Sequence, residues 1–309
     1  MHEITVIGSL NMDLVVRAPR VPLAGETIAG TSCHLIPGGK GANQAVAASR
    51  AGASTHMIGC VGQDAFGPAL LGSLTEAGVN TSGVQVLPDI STGTAAIIVE
   101  ENGENRIIIV PGTNALVSTS FIEELWADIS HSDMILLQHE IPLQTVHKVV
   151  EQAHQNGIKV ILNAAPIYAI PLEILKKLDV LIINETEGST LSGITILDQK
   201  TAFDAATYLH GSGVRSVIIT LGSEGAVFVN NILRLYQPAF KVKVVDTTAA
   251  GDTFVGAYAA SILEGKSEPD ALLYASAAAA LAVTRIGAQI SIPDRLETLE
   301  FIKKETPLN

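Results

Sequence analysis

A chain of 309 residues has room for one large domain, and with 47% hydrophobic and 16% charged residues it can fill a core, which excludes general disorder. A formal net charge of −12 excludes a surface built to hold nucleic acid, although backbone N–H groups can still hold a small phosphate ligand. The longest mostly apolar stretch, residues 271–283, is interrupted by Tyr274 and Ser276 and is too short for a bilayer, so no membrane contact is expected.

In chain order, residues 4–8 read as the first strand. The opening MHEITVIGS has no basic region followed by an apolar run, so no secretion signal is expected. Residues 14–16 begin a segment of little helical periodicity through Pro19, Pro22 and Gly25. A glycine-rich turn at Gly38–Gly41 then precedes a helix. Strand 55–60 leads into helix 64–77. Strands 94–100 and 106–110 flank Glu101-Asn102-Gly103-Glu104, a hairpin by its Asn-Gly signal. Strands at 134–138, 159–163, 180–184 and 216–221 follow, with helices at 143–156 and 201–211 among them. Residues 251–263 and 270–284 read as two Ala-rich helices that need close packing partners. There is no tandem repeat and no low-complexity linker. Cys33 and Cys60 give neither a disulfide framework nor a metal spacing and read as buried thiols of a cytoplasmic protein.

Continuous apolar strands alternating with helices predict an α/β fold, a mostly parallel central sheet covered on both faces. The expected organisation is a single domain over 1–309, with a small β-sheet lid inserted from about 12–36 and 92–111. Ligands of such sheets sit beyond the carboxyl ends of the strands.

The sharpest local feature is Asp246-Thr-Thr-Ala-Ala-Gly-Asp252-Thr-Phe, a small-residue turn that opens a helix. Small residues let the N–H groups of Ala249, Ala250, Gly251 and Asp252 converge, and the helix dipole adds positive potential. Such a hole holds an anion, and Asp252 beside it could accept a proton from a hydroxyl. The plain alternative is that Asp252 merely caps the helix. Asn11 and Asp13, two apart on an extended segment, face one side and suit vicinal hydroxyls. Gly39 and Gly41 allow close backbone approach, while Lys40 and Asn43 offer donors. Glu140 follows a strand at the carboxyl edge of the sheet. Asn184-x-x-Glu187 also follows a strand; it can hold water around Mg²⁺ or serve as a helix cap with its third-position glutamate. Thr220-Leu221-Gly222-Ser223-Glu224-Gly225 is a strand followed by a glycine turn, a hairpin on its own evidence.

These strings, in this order, resemble the signatures of the ribokinase-like carbohydrate kinases. The likeness rests on Asn11-Met12-Asp13, Gly38-Gly39-Lys40-Gly41-Ala42-Asn43-Gln44-Ala45, Asn184-Glu185-Thr186-Glu187, the 220–225 turn and the 246–254 string, and it runs from Ile4 to Pro293. Within the family the glycine string with Asn11-x-Asp13 is more similar to ribose-directed members than to adenosine- or fructose-directed ones. The resemblance implies phosphorylation of a sugar's terminal hydroxyl by ATP with Mg²⁺, Asp252 being the base. It implies sugar contacts at Asn11, Met12, Asp13, Gly39, Lys40, Gly41, Ala42, Asn43 and Glu140, with Ala95 and Ile109 covering the sugar face. Nucleotide contacts would fall at Asn184, Glu187, the 220–225 turn, Gly251 and Ser276. A potassium ion would lie at Asp246, Thr248, Ala282, Arg285, Gly287 and Ser291, mostly on backbone carbonyls. A homodimer joined through the lids is also implied.

Two departures stand out. Ser276 lies where the family can present a histidine near adenine, and Asn163-Ala164-Ala165-Pro166 lacks one proline of the family's stretch. Other readings fail on spacing. Gly265-Lys266-Ser267 looks like the end of a P-loop, but the earlier glycine falls at Ala260. Gly39-Lys40-Gly41-Ala42-Asn43-Gln44 fails a dinucleotide fingerprint at its last position, and the eight histidines show no metal spacing. A sugar-binding regulator without catalysis, and kinases of 2-deoxyribose, fructose or adenosine, remain as alternatives.

Overall fold

The computed structural model describes residues 3–101 and 104–305. Its strands are β1 (Glu3–Ile7), β2 (Asn11–Ala18), β3 (Ser32–Gly38), β4 (Ser54–Gly62), β5 (Asn80–Leu87), β6 (Gly93–Glu100), β7 (Asn105–Val110), β8 (Met134–Gln138), β9 (Lys159–Asn163), β10 (Val180–Asn184), β11 (Ser216–Thr220), β12 (Ala226–Asn230) and β13 (Arg234–Gln237). Its helices are α1 (Lys40–Arg50), α2 (Phe66–Glu76), α3 (Thr119–Ile129), α4 (Leu143–Asn156), α5 (Leu172–Leu175), α6 (Glu185–Ser192), α7 (Gln199–Gly211), α8 (Ala250–Leu263), α9 (Glu268–Ala282) and α10 (Arg295–Glu305).

The main sheet has nine strands in the order β13-β12-β11-β10-β9-β8-β1-β4-β5. It is parallel from β5 to β11, and β12 and β13 are added antiparallel at one edge. Alternate residues of each central strand feed opposite cores, as the period of two requires. Met134 and Leu136 join one apolar cluster with α1, α8 and α9; Ile135 and Leu137 join the other with α4 and α7. The expectation of a mostly parallel sheet with helices on both faces is borne out.

Local chemistry explains the element ends. Helix α4 stops where Gly157 adopts φ 72°, a left-handed turn that costs glycine little. Helix α2 begins at Phe66 rather than 64 because Asp64 Oδ1 accepts from the N–H groups of Phe66 and Gly67. Gly256 sits one turn beyond Asp252, and a Cβ there would lie 2.5 Å from the carbonyl oxygen of Gln44, so the glycine lets α8 press against α1. The Ala-rich helices thus find the close partner their composition demands.

A second sheet of four strands, ordered β3-β2-β6-β7, comes from two separated segments of chain. Strand β2 runs from Asn11 to Ala18, much longer than the sequence signal at 14–16, and runs parallel to β6. The Asn102-Gly103 centre of the expected hairpin turn lies outside the described residues. Cys33, expected to be buried, is exposed on β3 because this sheet leaves one face and its edges open; Cys60 is buried as expected.

Candidate active site

Strand β1 ends at Ile7, and the chain passes through Ser9 into β2, which carries Asn11 and Asp13 on one face and Met12 on the other. In register, Asp13 stands between Ile36 of β3 and Ala95 of β6, and Ala95 stands beside Ile109 of β7. The expected sugar-side set, Asp13, Ala95 and Ile109, therefore forms one row across one face of the second sheet. Asn11 is flanked in register by Gly38 and Gly93, and added Cβ atoms there would collide with the side chains of Asp13 and Asn11. Glycine makes the room these polar groups occupy. Met12 lies in the core cluster, and so does Ala42; neither side chain belongs to the polar site that its neighbours in sequence form.

Asn11 is only 4% exposed, and its Oδ1 accepts from Nδ2 of Asn114 at 2.7 Å. Asn114 is fixed in turn by the backbone of Leu10, taking its N–H at 2.9 Å and giving Nδ2–H to its carbonyl at 3.2 Å. With its acceptor so engaged, Asn11 has its amide N–H groups left to offer. Asn114 was not visible in the sequence reading.

Gly39 precedes α1 at φ 90°, and Cβ atoms at Gly39 and Gly41 would lie within 2.7 Å of the Asn11 and Ser9 nitrogens. The start of α1 is therefore laid against the β1–β2 connection. Glu140 Oε2 accepts from Ser9 Oγ at 2.5 Å and from the Lys40 N–H at 3.0 Å. Ser9, a second residue the sequence reading missed, joins Glu140 to the glycine turn, accepting also from the Gly41 N–H at 3.2 Å.

Asp252 lies in the first turn of α8 and is 7% exposed. It does not cap the helix by its side chain. Its Oδ2 accepts from Asn43 Nδ2 at 2.9 Å and its Oδ1 from Gln44 Nε2 at 3.0 Å. The residue at the cap position, Ala249, holds a left-handed conformation at φ 60° and supplies no capping side chain. A non-glycine residue held there costs of order 1 kcal/mol, a strain that clusters at functional sites. Of the N–H groups expected to form an anion hole, that of Ala250 is spent on the Thr247 carbonyl at 3.2 Å, whereas those of Ala249, Gly251 and Asp252 have no partner among the described residues.

Four carboxylates and one ammonium share the neighbourhood. Burial, then the charges of Glu140 and Asp252, push Asp13 up to about 7. Burial also raises Glu187. Lys40 is an instructive opposite: burial alone would lower it, but Asp252, Glu140 and Glu187 together hold it above its ordinary value. Lys40 is thus coupled to Glu140 and Asp252 on one hand and to Glu187 on the other. The sequence reading had assigned it only to hydroxyls.

Asn184 caps α6: its Oδ1 accepts from the Glu187 N–H at 2.9 Å, and Glu187 Oε2 accepts from the Asn184 N–H at 2.8 Å. Asn184 Nδ2 and Glu187 Oε1 have no partner among the described residues and could meet water around a phosphate-bound cation. Thr220–Gly225 is a hairpin turn between β11 and β12, closed by the Leu221 N–H to the Gly225 carbonyl at 2.7 Å, with Gly222, Ser223 and Glu224 exposed. Strand register aligns Asn184 with Thr220, so both motifs leave the same carboxyl edge of the sheet. Ser276 is buried on α9.

Behind the anion hole, Asp246 Oδ1 accepts from the N–H and Oγ of Thr248 at 2.9 and 2.6 Å, and Oδ2 from the Gly287 N–H at 3.0 Å. Both Val245 and Asp246 donate to the Val283 carbonyl, at 2.8 and 3.2 Å. Asp246 therefore ties the strand-to-α8 connection to the segment carrying Ala282, Arg285, Gly287 and Ser291. No cluster of three or more His, Cys, Asp or Glu side chains suited to a metal occurs among the described residues. No described helix is long and apolar enough to cross a membrane.

A buried carboxylate at the open end of a helix, beside a polar cradle at the carboxyl edge of a parallel sheet, sets a proton acceptor next to backbone donors suited to an anion. The pfkB family carbohydrate kinase profile matches residues 1–295, and the chain belongs to that family of carbohydrate kinases. It is 40% identical over 300 residues to the ribokinase of Haemophilus influenzae, covering 97% of this chain and 98% of that one. It is 34% identical over 301 residues to the deoxyribokinase of Salmonella typhi, covering 97% and 98%. The structure of Arabidopsis thaliana ribokinase complexed with ribose and ATP superposes with a TM-score of 0.91 at 35% identity, over 98% of this chain and 99% of that one.

Proposed function

We propose that this protein phosphorylates D-ribose at its 5-hydroxyl with ATP, giving ribose 5-phosphate. The observation that carries the reading is the buried Asp252 carboxylate, held by Asn43 and Gln44 at the end of α8 whose N–H groups are unspent. Sugar hydroxyls bind between the face of Asn11 and Asp13 and the α1 turn with Asn43 and Glu140. The Asn43 Oδ1, buried without a partner among the described residues, accepts a hydroxyl there. Asp252 takes the proton as the sugar oxygen attacks the γ-phosphorus. In a loose transition state that proton leaves late, so the position of Asp252 counts as much as its basicity. The N–H groups of Gly251 and Asp252, with the Lys40 ammonium, stabilise charge on the transferring group.

ATP lies along Asn184, Glu187 and Thr220–Gly225, with Ser276 near its base. Mg²⁺ would be held through water by Asn184 and Glu187, where it supplies charge neutralisation for the phosphates. The donors around Asp246 fit a monovalent cation such as K⁺, a carboxylate and carbonyls on two segments already tied together; it would order the turn at Ala249–Gly251 without touching substrate. The chain would act as one domain in the cytoplasm, with the second sheet as a lid. Exposed Ile107, Ile108, Ile109 and Val110 on its edge strand β7 favour a homodimer joined lid to lid.

The sequence relative that acts on deoxyribose makes the acceptor the point to test. Coupled ADP release with Mg·ATP, run on ribose, 2-deoxyribose, fructose and adenosine in potassium and in sodium buffer, decides it. Preference for ribose with potassium stimulation is the expected result; preference for another acceptor overturns the substrate while keeping the kinase.

A further inference from the structure

Gln44 is fully buried on α1, and the transfer chemistry leaves it without a task. Its Nε2 donates to Asp252 Oδ1 at 3.0 Å and to Asn163 Oδ1 at 3.1 Å, and its Oε1 accepts from Gln138 Nε2 at 2.7 Å. Asn163 is oriented in turn by its Nδ2, which donates to the Ile182 carbonyl at 3.0 Å. These partners come from α8, β9, β8 and β10. Turning the Gln44 carboxamide over would set its oxygen against two acceptors and its N–H groups against a donor, so the structure permits one orientation.

We propose that Gln44 is a positioning residue for the phosphoryl transfer, with Gln138 fixing which way its amide points. It pins Oδ1 of Asp252 while Asn43 holds Oδ2, so the plane of the carboxylate is fixed. Oδ2, on the side of Asn43, keeps a lone pair beyond that bond and is the oxygen that receives the proton. In that step the sugar O–H proton passes to Oδ2, the sugar oxygen bonds to the γ-phosphorus, and the bond from phosphorus to the bridging oxygen breaks, its electrons leaving with ADP. Gln44 forms and breaks nothing; it sets the orientation of the carboxylate. This inference rests on Asp252 being the base.

The charged groups coupled to Asp252 are Lys40 from α1, Asp13 from β2 and Glu187 from α6, with Glu140 beside Lys40 after β8. None is altered by a change at Gln44 or Gln138, so a fall in kcat at constant ribose KM reports on the placement of Asp252. The experiment measures kcat and ribose KM for Gln44→Met, Gln138→Met and Asp252→Asn. Loss of a hydrogen bond to a charged group predicts a fall in kcat of about ten- to a hundredfold for Gln44→Met. Ribose KM should stay within about twofold, because Gln44 bonds the base and lies in the protein interior. Gln138→Met should show the same pattern, weaker, and covers the case in which the α1 variant does not fold. Unchanged kcat in both glutamine variants, with Asp252→Asn inactive, would overturn the inference and leave the base in place. So would a rise in ribose KM at constant kcat, which would make Gln44 a sugar contact. Full turnover in Asp252→Asn would instead remove the base reading on which the inference stands.

Discussion

The two halves of the site are built differently. On the side proposed for the sugar, three polar groups are held from far along the chain: Asn11 by Asn114, Glu140 by Ser9 and Lys40, Asp252 by Asn43 and Gln44. On the side proposed for the nucleotide, Asn184 and Glu187 each give one oxygen to the other's N–H, and Gly222, Ser223 and Glu224 lie exposed in a local turn. Selectivity comes from groups fixed before binding, because a missing hydroxyl then leaves a buried polar group unpaired. A ligand with a long polyphosphate can be held by a few backbone contacts and its cation, and needs less advance construction. The acceptor is therefore chosen by a rigid cradle and the donor by an open ledge.

The sharpest break would come from Asp252→Asn, expected to lower turnover by roughly two to four powers of ten while ribose affinity stays nearly intact. Steady-state kcat beside a direct ribose titration checks this, and near-normal turnover would take Asp252 out of the mechanism. Next, 2-deoxyribose should be used at least about tenfold less efficiently than ribose, since Asn11 and Asp13 are matched to vicinal hydroxyls; equal kcat/KM for the two sugars would sink that assignment.

Asp13 gives a stability test with a definite sign. Its pKa is pushed up to about 7 in the folded, ligand-free protein. Relative to the unfolded chain, the group favours the fold at low pH, and this contribution is lost as pH rises toward and through about 7. Asp13→Asn should therefore melt like the parent near pH 4. At pH 8 it should be more stable, by on the order of 1–2 kcal/mol after allowance for solvent screening, while binding ribose poorly. Melting curves at the two pH values settle the matter; a variant less stable at pH 8 would show that Asp13 is a structural anchor. Smaller still, Glu187→Ala should cost about 1 kcal/mol of stability through the lost cap and raise the KM for Mg·ATP without changing that for ribose. An unchanged nucleotide KM would return Asn184-x-x-Glu187 to a purely structural cap.

Much of this was legible in the sequence, and the boundary has a physical cause. Strands β8, β9 and β10 coincide with their apolar runs because central parallel strands are buried on both faces and leave a continuous signal. Strands β3, β5 and β13, at or near sheet edges, lack that signal and were not read, while β12 was implied only by the hairpin at 220–225. Helix α3 was missed too, although Ser118 caps it by accepting from the Phe121 N–H. In the site, short strings gave Asn11, Asp13, Asn43 and Asp252 because the residues lie close together in the chain. The bonds that fix them span 103 residues for Asn11 to Asn114 and 208 for Gln44 to Asp252, and no local pattern records such a pairing. Gln44 and Asn163 both stood inside strings already singled out, and their adjacency to a buried carboxylate was the missing fact. Met12 shows the converse limit: membership of a motif placed it with its neighbours, and strand alternation sends it into the core.

The first turns of α1 reach most of the polar groups described: Lys40 is coupled to Asp252, Glu140 and Glu187, and Asn43 and Gln44 grip Asp252. A helix so committed has little freedom to drift over generations, since any change there disturbs acceptor and chemistry together. In the neighbouring row only Asp13 is tied to Asp252, through charge, whereas Ile36, Ala95 and Ile109 belong to a sheet drawn from separate segments. Descendants of this scaffold that acquire new acceptors should carry their innovations at those three apolar positions and keep α1 as inheritance.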